Sequence, residues 1–196
     1  MVSCQDSSKK NPYQGNLLWN YSDLKQDLEA GDIILKHGHG TISRFISKTL
    51  AEEIPLSHCA IVSEIFNDSI VLIHSISGKL TIKDGVQKIR LNAFMKDVVK
   101  GSFIVLRHKS ELTQRKKMGE FALRLEGQSI GFDLKFNNHD RSKLYCTEMI
   151  AEVLTKIYGE PFFDIKQIGN GEVYSFNSLL KSPHFYQLSQ DGNRVD

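Results

Sequence analysis

Cys146, His58 and His74 are residues of the types that thiol chemistry needs, and their surroundings suggest how they could meet. Cys146 lies in the stretch LYCTEMIAEVL, Leu144 to Leu154. Met149, Ile150, Val153, Leu154 and Ile157 recur 3, 4, 7, 8 and 11 residues beyond it, the period of an amphipathic helix. The cysteine therefore falls in the first turn. A helix start presents unpaired N–H groups and a partial positive charge, which favour a thiolate and can receive a developing oxyanion. Glu148 is placed to cap the same turn. A first-turn cysteine alone is more often a small packed residue, and an imidazole partner is what turns the reading toward a nucleophile. His58 begins the apolar run SHCAIV, where a polar side chain needs a partner, and His74 sits inside SIVLIHSIS. If the two runs pair around Asn67 and Asp68, the histidines share a face and His74 can orient His58 as the third group of a triad. Cys59 adjoins His58, so strand alternation sends it to the opposite face as an inert packed thiol. Asp140 and Glu64 are alternative orienting groups.

The elements that must hold these residues can be read from the periodicity. Leu17, Leu18, Tyr21 and Leu24 have roughly helical spacing before Gly31, and DIILK, Asp32 to Lys36, suits a buried strand. HGHG, His37 to Gly40, reads as a glycine turn; His37 and His39 have no third ligand in view, so no metal site is expected there. TISRFISKTLAEE puts Ile42, Phe45, Ile46 and Leu50 on one helical face. Strands are expected over Ser57 to Ile65, Ser69 to Ser77, Leu80 to Leu91 and Phe103 to Lys109, close enough in sequence for antiparallel connections. From Ser110, a plausible N-cap, the period turns helical, with Met118, Phe121, Ala122 and Leu125 on one face. Gly159 and Pro161 end the cysteine helix, and the remainder reads as irregular with at most one short helix. The expectation is an α+β fold with an antiparallel sheet, in a domain spanning 15–196 after a polar leader, 1–14.

Composition narrows the function. Hydrophobic residues make up 40% and charged residues 24%, the balance of a soluble globular chain. A net charge of +2 gives no bulk argument for nucleic acid, and no basic stripe or binding signature supplies a local one. The chain has neither a membrane-length apolar run nor a P-loop or dinucleotide fingerprint, so no cofactor is expected. Three cysteines suit neither a disulfide framework nor a four-ligand zinc site. The opening MVSCQDSSKK resembles the end of a bacterial lipoprotein cleavage box. Two placements follow: a cell-envelope protein held to the membrane through an acylated Cys4, or a cytoplasmic chain with an incidental cysteine.

GDIILK, SHCAIV, a polar residue one strand later, GFDLKF and YCTEMIAEVL occur in the order found in the permuted NlpC/P60-like group of papain-type thiol hydrolases, the YiiX/YaeF proteins. The chain resembles that family over roughly residues 31 to 158. The resemblance implies a circularly permuted papain-like fold, with the histidine strand before the cysteine helix and the sheet packed against that helix. It implies Cys146 as nucleophile, His58 as general base, the third polar position at His74, and Tyr145 lining the oxyanion or substrate site. The family's third position is commonly acidic, so a histidine there is a departure. Asp133 and Phe136 match a segment read as structural. The implied activity is cofactor-independent hydrolysis or acyl transfer through a thioester, on cell-wall-type peptides or on acyl lipids. A non-catalytic module binding peptide or lipid on the same scaffold is the rival.

Overall fold

The computed structural model describes residues 21–67, 69–159, 163–188 and 194–195; Cys4 and the leader lie outside them. A seven-stranded antiparallel sheet, with β8 (Phe185–Leu188) and β9 (Arg194–Val195) at one edge, dominates in the order β4-β3-β2-β1-β5-β8-β9. Its central strands are β1 (Ile33–Gly38), β2 (His58–Phe66), β3 (Ser69–Ile76), β4 (Gly85–Arg90) and β5 (Val98–His108). Alternation along these strands divides the core. Leu35, Cys59, Ile61, Ile73, Ile104 and Leu106 face α4 (Leu112–Gly127) and α5 (Cys146–Tyr158). Ile34, Ala60, Val62, Ile70, Leu72 and Val105 face α1 (Tyr21–Asp27) and α3 (Leu91–Met95). A sheet covered on both faces explains why the strands read as near-continuous apolar runs rather than alternating ones.

The helical periods hold. Met118, Phe121, Ala122 and Leu125 of α4 and Met149, Ile150, Val153 and Leu154 of α5 are all buried. The N-cap of α4 is Glu111, one residue past Ser110. Helix α2 (Thr41–Leu50) forms where expected, but its apolar face is only partly covered: Leu50 is buried, whereas Phe45 is 68% exposed.

Other elements differ from expectation for local reasons. Strand β1 runs on through His37 and Gly38, so only the second half of HGHG turns. The strand expected from Leu80 begins only at Gly85. Gly85 has φ +83° and an added Cβ would lie 2.0 Å from the Ile130 carbonyl oxygen, so the chain must turn there before it can pair. Asp84 holds that turn, accepting from the Gly78 amide at 2.6 Å and the Phe132 amide at 2.9 Å. The C-terminal part is more regular than its sequence suggests. Hairpin strands β6 (Ile165–Ile168) and β7 (Gly171–Tyr174), helix α6 (Phe176–Leu180) and β8 (Phe185–Leu188) follow, and β8 pairs with β5. Four-residue strands carry too few residues for a period to register, and their pairing is decided by the sheet edge they meet.

The GD pair at the entrance to β1 is a structural device. Asp32 is fully buried, and Arg107 of β5 donates to both its carboxylate oxygens at 2.8 Å. Glu29 links the same guanidinium to Arg115 of α4, so the network ties helix to sheet. Gly31 has φ +92°, and a Cβ there would lie 2.3 Å from the Arg115 carbonyl oxygen.

Candidate active site

The segment leading into α5 is pinned before it delivers the cysteine. Asp133 is buried and accepts from the amides of Lys135 at 2.8 Å and Asn137 at 2.5 Å, folding a turn around its own carboxylate. The Phe136 carbonyl accepts from the Glu172 amide at 2.9 Å, which fastens the turn to β7. Ser75 of β3 donates to the Leu144 carbonyl. The Tyr145 hydroxyl donates to Asn138 Oδ1 at 2.7 Å and accepts from the Tyr174 amide at 2.9 Å. Burial pushes this phenol's pKa upward, so it remains a neutral donor. Tyr145 thus stands directly before the cysteine with its polar end engaged in holding the loop.

Cys146 is the first residue of α5. The first helical bond runs from the Met149 amide to the Tyr145 carbonyl at 2.9 Å, so the preceding amides of the first turn lie outside the intrahelical ladder. Glu148 accepts from the Tyr145 amide at 3.2 Å, as the capping pattern predicts. Its carboxyl is buried, and burial followed by the nearby acidic groups Asp133, Asp140 and Glu152 raises its pKa to about 8, opposed by that amide bond. Near neutral pH the acid at N3 is largely uncharged. It caps without placing a full negative charge beside the cysteine.

His58 and His74 come together as the strand pairing requires. Ile61 pairs with Ile73, so His58 and His74 are diagonal neighbours on one face of β2 and β3. His58 Nε2 and His74 Nδ1 lie 2.9 Å apart. Burial, then the charges of His58 and Lys36, press the His74 pKa from 6.5 down to about 2. In the tautomer of a neutral His74 that carries its proton on Nε2, Nδ1 accepts from His58 Nε2–H. His58 is also one of the groups that lower the Cys146 pKa.

The surroundings of the pair were not evident from the sequence. Lys36 is the cross-strand partner of His58, is buried, and pairs with Asp97 while donating to the Phe94 carbonyl at 2.5 Å. The Phe94 ring lies under both imidazoles, 5.5 Å from His58 and 5.9 Å from His74 between centroids. A lysine closing a buried strand in DIILK was the one local signal. Asp97 and Phe94 had none, because they arrive through a five-residue helix on the far side of the sheet.

Cys59 lies on the face opposite His58, as alternation requires, and is fully buried in the core that β2 shares with α5. His58, the first residue of β2, and His74 occupy the Phe94 side of the sheet. The Cys146 thiol is held well below its ordinary pKa by the hydrogen bond from Cys59 and by the hydrogen bond and charge of His58, against the cost of burial. Cys59 is pushed well above its ordinary value by burial and by Cys146.

The alternative orienting groups stand elsewhere. The Asp140 carboxylate closes its own turn, accepting from the Ser142 amide at 3.1 Å and hydroxyl at 2.6 Å. Glu64 is about 20 Å along β2 from His58. The grooves lined by Phe66 belong to the opposite end of the β2–β3 hairpin. A thiol at a helix start, an imidazole that acts on it and a second imidazole 2.9 Å from the first are groups able to carry out acyl transfer through a thioester.

Known proteins share this architecture. The crystal structure of the metalloprotein YiiX from Escherichia coli O157:H7 (DUF1105) superposes with a TM-score of 0.66 at 16% identity, covering 83% of this chain and 97% of that one. Among the described residues here, no group of three or more His, Cys, Asp and Glu side chains is gathered that could hold a metal. A search among curated protein sequences finds no match. The family model of the permuted papain-like amidases, YaeF/YiiX, C92 family, matches residues 27–185, and the chain belongs to that family.

Proposed function

We propose that this protein is a cysteine-dependent amidase or peptidase in which Cys146 attacks the substrate carbonyl and His58 manages the proton. The observation that carries the reading is the 2.9 Å contact between His58 Nε2 and His74 Nδ1, together with the influence of His58 on the Cys146 thiol at the start of α5. In the resting state the sulfur is the thiolate and His58 the imidazolium, donating Nε2–H to the neutral His74. Attack forms the S–C bond, and amides of the first turn of α5 receive the oxyanion. His58 Nδ1–H passes to the leaving amine as the C–N bond breaks, leaving a thioester. His58, now neutral, takes a proton from water as the water oxygen attacks that thioester. The sulfur leaves as thiolate and the acid is released.

A second reading, an acyl-lipid hydrolase or acyltransferase, draws support from one observation. Leu80 and Ile82, 50% and 109% exposed, stand on the turn that Asp84 joins to the segment entering α5, where Leu134 is 56% exposed. Exposed apolar side chains on these turns suit a substrate with an acyl chain better than a short polar peptide. The test is a panel of muropeptides and acyl lipids assayed with the wild type, Cys146→Ala and His58→Ala. The amidase reading expects cleavage of peptide amides that both substitutions abolish, and turnover of lipids alone transfers the site to the second reading. If iodoacetamide labels Cys146 no faster than a free thiol, and Cys146→Ala changes no turnover, the protein is a binding module.

A further inference from the structure

We infer that Lys36 is a positioning residue for the histidine pair: its ammonium fixes Phe94 by backbone and ring together, and Phe94 holds the two imidazoles against each other. The inference rests on the reading of His58 and His74 as the groups that serve Cys146, and adds the element that keeps them in place. The three rings form a closed cluster. His58 and His74 are 5.2 Å apart between centroids, and Phe94 stands 5.5 Å from the first and 5.9 Å from the second. Lys36, the cross-strand partner of His58, brings its Nζ to 4.2 Å from the Phe94 centroid.

The helix that carries Phe94 needs such a hold. Helix α3 has five residues and no side-chain cap at its start, and so short a helix leaves closing carbonyls without helical partners. Lys36 Nζ reaches across from β1, donates to the Phe94 carbonyl at 2.5 Å and pairs with Asp97, just past the helix end. Packing alone does not call for a lysine here. Its neighbours on the same face, Ile34 of β1 and Ala60 and Val62 of β2, are fully buried and apolar, and Lys36 is itself only 4% exposed. Methionine would fill such a site, whereas a buried ammonium carries a desolvation cost that only directed partners offset. What the lysine adds over methionine is three directed contacts, all on or beside one phenylalanine. From β4, Gln87 stands opposite His74 but turns its amide to the Lys83 carbonyl at 2.8 Å, and so does not orient the imidazole.

The consequence is read in the imidazole nitrogens, which a merely structural lysine would leave unmoved. The experiment is long-range proton–nitrogen NMR of the histidines in the full chain near neutral pH, with the His74 signals assigned by their loss in His74→Gln. In the wild type His74 should show one tautomer, Nε2 protonated and Nδ1 accepting. Lys36→Met should move both nitrogens toward the mean of the two tautomers, and alkylation of Cys146 by iodoacetamide should slow about tenfold as His58 loses its place. Lys36→Arg, whose guanidinium can still donate to the carbonyl and pair with Asp97, should keep the tautomer and stay within about threefold of the wild-type rate. Phe94→Leu, which leaves Lys36 and Asp97 intact, should follow Lys36→Met, and it carries the test if Lys36→Met does not fold. An unmoved tautomer in Lys36→Met and Phe94→Leu, or a Lys36→Arg shift as large as theirs, overturns the role of Lys36 and leaves the histidine pair in place. A wild type whose His74 nitrogens already sit at the mean overturns the orientation of His58 by His74, and with it the reading beneath.

Discussion

His58 Nε2 and His74 Nδ1 are 2.9 Å apart on neighbouring strands, and the deeper imidazole is the one that cannot take the proton. In the proposed mechanism His74 orients His58 as an acceptor without carrying charge. The buried Lys36 ammonium lies close enough to depress His74 further and keep it unprotonated. Replacing His74 with Ala should lower kcat/KM by about 10²-fold or more, because His58 loses its tautomer and orientation. Gln, whose carbonyl can accept from Nε2–H, should recover part of that loss. Steady-state kinetics on whichever substrate the panel identifies will measure both.

The same histidine makes an acid limit on stability. Its pKa is about 2 in the folded protein against 6.5 for an ordinary histidine, so the unfolded chain binds a proton that the folded one refuses. Stability from this group is fully present above pH 6.5 and is lost as the pH falls below it. Urea midpoints at pH 7.5 and 4.5 should differ less in His74→Gln than in the wild type.

Glu148 has the opposite sign. Its folded pKa of about 8 lies above the ordinary 4.5, so the folded state holds a proton that the unfolded state has released. Stability from this carboxyl is highest below pH 4.5 and declines as the pH rises toward 8. The Glu148→Gln variant keeps an oxygen for the Tyr145 amide and should flatten that decline, gaining on the wild type in melting temperature at pH 8.5 but not at pH 4.5.

The Asp32–Arg107 pair tests the scaffold apart from the chemistry. Both residues are buried, and removing one strands the other's charge. Asp32→Ala should cost about 3–5 kcal/mol in equilibrium unfolding, and a double variant with Arg107→Met should cost less than Asp32→Ala alone. Alkylation of Cys146 in the folded fraction should be unaffected, since the pair lies at the other end of β1 from Lys36 and His58.

What the sequence determined by itself is what local period and order can carry. The 3.6-residue repeat after Cys146 puts that residue at a helix start, and the apolar runs around His58 and His74 make their pairing a matter of one turn at Asn67. The order of the GD, SH and YC segments is enough to resemble the family whose model the chain matches. Tertiary structure decided the contacts that no period encodes. Alternation predicts that His58 and Cys59 part ways, but not which of them faces the helix, because that depends on which side of the sheet α5 covers. Lys36, Phe94 and Asp97 meet the histidines only once β1 has paired with β2 and α3 has closed over the sheet. Strand β8 pairs only because an edge of β5 is open to receive it. A strand specifies two faces equally well from its sequence, and only the packing of distant elements assigns one of them to the chemistry.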